Sequence, residues 1–138
     1  MKNFIKSLKH LPKIWAALSY SALLVFSLFL FFGRSIPEIR IASLLKVFPD
    51  FYKHVSNFSL TLIVFVSIGY IGLMVGLKLK HITIIGIVFG IINMIFEFFI
   101  SILNTPDKTD AVYGVSSVIL GLLFLYTVKK SGLQKNKL

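Results

Sequence analysis

Few side chains in this sequence could do chemistry, and they lie close together: Asn93, Glu97, Asp107 and Asp110, with His54 further back. Glu97 stands inside a long apolar stretch. An ionisable group there is costly to insert into a bilayer and by default marks a binding or proton-handling position. The bland alternative is a hydrogen-bonded or protonated carboxyl that locks two helices, with Asn93 as its partner. Asp107 and Asp110 lie in a polar connection just beyond Glu97, where carboxylates commonly serve as solvated turn residues or helix caps. These three are most of an acid-poor chain, which has five Asp and Glu in all. His54 is expected on the same side. His54, Glu97, Asp107 and Asp110 could suit a hard metal ion or zinc. No spacing such as HExxH supports this, so no metal is assigned. His10 and His81 fall among lysines and read as interface residues.

Other chemistries find no support. The sequence has no GxSxG, P-loop, GxGxxG or HExxH motif. It has no cysteine, so a disulfide framework, a thiolate metal site and a Cys nucleophile are excluded. No enzyme activity and no cofactor are expected.

The elements that would position these residues are apolar helices. Hydrophobic residues make up 57% of the 138, charged residues 14%, and the mean hydropathy is +0.88. A globular domain carries about 45–50% apolar and about 25% charged residues. The uncharged run 14–32 is 19 residues long. It reaches roughly 28 Å as a helix, about the hydrocarbon thickness. It is too long for a signal peptide core and lacks a small-x-small exit, so it reads as a retained span. Further spans are expected at 58–77, 82–103 and 111–128. Thr109 or Asp110 could cap the last. Between spans one and two, Ser35-Ile36-Pro37-Glu38 reads as a capping box. A short amphipathic helix over about 36–48 follows, stopped by Pro49. Lying in the interface is its natural reading, and packing as a lid over the bundle is the alternative. The tail, 129–138, is basic and expected to fray. The fold class is an all-α, four-helix membrane bundle forming a single domain over 1–138.

Small residues would bring these helices together: Gly69, Gly72 and Gly76; Gly86 and Gly90; Gly114, Ser117 and Gly121. On the third span, Gly86, Gly90, Asn93, Glu97 and Ser101 fall on one face, which should point into the bundle.

The charge of +10 fits membrane topology better than nucleic acid, which is not an expected partner. Ten Lys and Arg fall at the two termini and the 78–81 turn, and five on the other side. The excess puts both termini in the cytoplasm.

Over residues 50–125 the chain resembles the VanZ-like family of small multi-pass bacterial membrane proteins. That family's pattern has a Lys/His-Phe start to a span, a Glu in a later span, an Asp-x-x-Asp loop and an Asn-x-x-Gly-x-x-x-Gly helix. Glu97, Asp107, Asp110 and Gly121 match it; Lys53, His54 and Phe58 resemble its start. Ile100, Asn104, Gly114 and Ser117 stand where the family has Gln, Arg, Asn and Gly. The family is named for a member associated with low-level teicoplanin resistance. The resemblance implies a cell-envelope role at the outer face of the bacterial cytoplasmic membrane. Glu97, Asp110, Asp107, Asn93 and His54 would then line a pocket for a lipid-linked or glycopeptide-like ligand. The other readings are a holin-like pore former, a small transporter that must oligomerise, and a structural subunit whose glycine faces bind another membrane protein.

Overall fold

Inside hydrocarbon every backbone N–H and C=O must find its partner within the protein, which leaves helices to these apolar runs. The computed structural model describes residues 8–99 and 107–137. Its helices are α1 (Ile14–Phe32), α2 (Ala42–Val47), α3 (Phe51–Val75), α4 (Leu79–Phe99) and α5 (Lys108–Thr127). All but α2 are long and apolar enough to cross a bilayer. The protein is a multi-pass, all-α membrane bundle.

Helix α3 is the hub, packed against α1, α4 and α5. Its most apolar window is 50% buried, against 11% for α4. The core of Leu62, Phe65, Val66, Tyr70 and Leu73 therefore comes largely from one helix, met by Ile82, Val118 and Leu125. The outward faces of α1 and α4 carry exposed Ile, Val, Leu and Phe, as a lipid-facing surface should.

The expected 58–77 span begins earlier, at Phe51. Charge hid this start: Lys53 turns outward and pairs with Asp50, while His54 turns inward and is buried. The span expected at 82–103 begins at Leu79; its end, with Ser101, lies outside the described residues. Gly72 and Gly76 do not make a helix-packing pair. Gly76 adopts φ 101° and closes α3, with the Leu77 N–H returning to the Gly72 carbonyl at 2.8 Å. Only a glycine takes that conformation without strain.

The expected 36–48 helix is broken into a 3₁₀ turn, Pro37–Ile39, and the six-residue α2. The Ser35–Glu38 capping box does not form, since Ile36 precedes the turn and no side chain caps it. Arg40 explains the break. Its guanidinium donates to the Gly33 and Arg34 carbonyls at the end of α1, at 2.7 and 3.0 Å, while its backbone is extended. Ile41, Leu44 and Leu45 of this segment pack on Leu30, Phe51, Tyr52 and Val55.

The tail is not frayed over its described length. Helix α5 widens into a π turn, Val128–Gly132, and then β2 (Leu133–Lys135) pairs antiparallel with β1 (His10–Pro12). Asn136 extends the clamp, donating from its amide side chain to the Leu8 carbonyl at 2.8 Å. The segments 8–12 and 133–136 are therefore tied together at one end of the bundle, beside Gly76.

Candidate functional site

The opposite end of α3 gathers the polar side chains. His54, Asn57 and Thr61 recur at i, i+3 and i+7, one face of the helix. Each meets a partner on another helix, and together they tie three helices.

His54 faces α5. Its Nδ1 lies 2.9 Å from Asp110 Oδ1 and 3.7 Å from Asp107 Oδ2. An ionised carboxylate only accepts hydrogen bonds, so the imidazole proton belongs on Nδ1. The ring lies against Tyr113, with centroids 5.4 Å apart. The His54 and Asp110 side chains are nearly closed off, 11% and 13% exposed, whereas Asp107 is 42% exposed.

Asp107, instead of the expected Thr109 or Asp110, caps α5. Its Oδ1 accepts from the Thr109 backbone N–H at 2.8 Å, which leaves Oδ2 facing His54. A carboxylate at the cap and another in the first turn suit the positive end of the helix dipole. The Thr109 hydrogen bonds hold the Asp107 carboxyl below its ordinary range, and His54 adds to this.

Asn57 and Thr61 face α4. Asn57 donates from Nδ2 to Glu97 Oε1 at 2.7 Å. Thr61 donates from Oγ1 to Asn93 Oδ1 at 3.1 Å, and Asn93 donates in turn to the Phe89 carbonyl of its own helix. Glu97 is buried and partnered by Asn57, not by Asn93 as the sequence suggested. Gly114 of α5 makes room for this arrangement, because a Cβ there would collide with the Asn93 amide.

A groove of about 290 Å³ runs between α3 and α4. Asn57, Thr61, Asn93 and Glu97 form its polar floor, and Leu60, Val64, Ile92 and Phe96 its apolar sides. Those four apolar residues are exposed, so the groove opens sideways, toward lipid.

All five site residues expected from sequence lie in this region, in two groups one helical turn apart on α3. His54, Asp107 and Asp110 form one; Glu97 and Asn93 belong to the other. Asn57 and Thr61, which complete the second, were not anticipated. Their i, i+3, i+7 spacing with His54 was the available signal.

No protein-family model, curated protein or solved structure matches this chain. Fold and site together define a class: a multi-pass membrane helix bundle whose central helix holds ionisable and amide side chains at one end.

Proposed function

We propose that this chain is a VanZ-like integral protein of the bacterial cytoplasmic membrane, without enzymatic activity, that binds a lipid-linked or glycopeptide-like ligand at its outer face. The groove between α3 and α4 carries this reading. It opens to lipid through Leu60, Val64, Ile92 and Phe96 and ends on the Asn57–Glu97 pair. An apolar chain fits such sides, and a polar headgroup fits such an end. One turn further out, the His54–Asp110 pair and Asp107 offer further contacts to a headgroup.

The test is inducible expression in a bacterial host of the wild type, Glu97→Gln and Asp110→Asn at equal membrane abundance, with teicoplanin susceptibility as the readout. Reduced susceptibility is expected with the wild type and should be lost in both variants. Equal susceptibility in all three strains and an empty-vector control overturns the reading. Abrupt lysis with wild type and variants alike favours the holin-like pore former instead.

A further inference from the structure

The His54 group has a feature that a structural ion pair does not require. One carboxylate, that of Asp110, satisfies His54 at 2.9 Å. A second carboxylate oxygen, Asp107 Oδ2, stands 3.7 Å from the same nitrogen, too far for a hydrogen bond to it. One ligand atom from each of the three residues lies within 4.8 Å of the others. In a tetrahedral site with bonds of about 2.0–2.2 Å, ligand atoms sit about 3.3–3.6 Å apart. The observed separations of 2.9 and 3.7 Å bracket that range.

The surroundings favour an ion as well. His54 and Asp110 sit on the first turns of two packed helices, and Asp107 is oriented through its other oxygen by the Thr109 N–H. Metal ligands are typically held by such outer hydrogen bonds. Tyr113 covers the imidazole face, while Asp107 leaves one side open to solvent. The donor set is one imidazole nitrogen and two carboxylates. Magnesium and calcium prefer six or more oxygens, so these donors suit a zinc-type ion.

We propose that His54, Asp107 and Asp110 form a binding site for one divalent transition-metal ion of the zinc type, with a fourth position open to water or ligand. The ion replaces the proton shared by His54 and Asp110, so Nδ1 loses its hydrogen to solvent on binding. Two carboxylates balance the two positive charges. The site stands independently of the teicoplanin reading: zinc uptake with no change in susceptibility would leave it intact and remove only that reading.

The experiment uses the full chain, purified in detergent without a polyhistidine tag and stripped with a chelator. Zn²⁺ is titrated against a chromophoric competitor, and Co²⁺ is added separately as a spectroscopic probe. The expected result is about one Zn²⁺ per chain and the intense visible bands of four-coordinate Co²⁺. His54→Ala and Asp110→Asn should each weaken Zn²⁺ binding by at least about 10–100-fold. Glu97→Gln and the double variant His10→Ala/His81→Ala should bind as the wild type does. No uptake by the wild type overturns the proposal. So does uptake that survives His54→Ala or disappears with His10 and His81. If the buried variants do not fold, Asp107→Asn decides, because that side chain is exposed: unchanged affinity and an unchanged Co²⁺ spectrum overturn the site.

Discussion

Asp107 shows how far a single residue can be read from sequence. Its type and its place before an apolar run mark it as a turn or cap residue. Which of Asp107, Thr109 and Asp110 caps the helix depends on where α5 leaves the loop, and spacing alone does not fix that. Glu97 is legible because a charge in an apolar run is conspicuous. Asn57 and Thr61 are not, because uncharged polar residues near a span end look like ordinary boundary residues. Their partners come from helix packing, which one sequence does not display. The Asp107 cap has a consequence for pH. Thr109 hydrogen bonds and His54 lower the folded value of this carboxyl from its ordinary 3.8. Its stabilising contribution is therefore complete above that value and is lost as pH falls through the lower, folded one. Asp107→Asn keeps an acceptor oxygen for Thr109 but cannot titrate. Thermal midpoints of the two proteins in detergent should run parallel from pH 7 to about pH 5. Below about pH 4 the wild type should fall more steeply. Asp50, whose carboxyl is likewise lowered by Lys53, titrates in both proteins and cancels in the comparison. Parallel curves down to acid would show that ionisation of the Asp107 carboxyl contributes nothing to folding.

At the scale of elements, a run of uncharged residues marks a span where its boundary is a charge facing water. It places α1 at its observed limits, Ile14–Phe32. It fails at α3, where Lys53 and His54 lie inside the helix and face opposite ways. The glycine stripes were legible as a class but not in their separate roles. Gly69 and Gly121 give room to Leu125 and Phe65, Gly76 makes a turn, and Gly114 accommodates Asn93. This distinction can be measured with one substitution at two positions. Gly114→Ala should destabilise the bundle by about 1–3 kcal/mol, because the Asn93 amide must move and give up its bond to Thr61. Gly90→Ala meets only Val115, at 4.0 Å. Alanine also favours a helix over glycine by up to about 1 kcal/mol, so this variant should be neutral or slightly stabilising. Denaturation in mixed micelles reads both. Equal effects at the two glycines would mean that Gly114 serves only generic packing, and the polar ladder would lose its support from α5.

For the whole molecule, two features bear on orientation. The β1–β2 clamp joins the segments that flank the first and last of the four long apolar helices among the described residues, as an even number of crossings requires. The clamp was not legible, because its strands are three residues long and one contains Pro12, a poor strand former. Charge then distinguishes the two ends. Among the described residues the clamp end and the α3–α4 turn carry eight Lys against five Lys and Arg at the site end, so the clamp should face the cytoplasm and the His54 group the outside. The absence of cysteine makes this directly testable, since a single introduced thiol has no background. Gln134→Cys places that thiol on exposed β2, and Thr109→Cys places it beside the Asp107 cap without removing the backbone N–H that Asp107 holds. In intact cells, stripped of outer permeability barriers, a membrane-impermeant maleimide should label Cys at 109 and not at 134. Permeabilisation of the cytoplasmic membrane should expose 134. The reverse pattern would place the polar site inside the cell. A ligand arriving from the envelope could not then reach Glu97 or Asp110, and the proposed function would fall even if the zinc site and the fold remained intact.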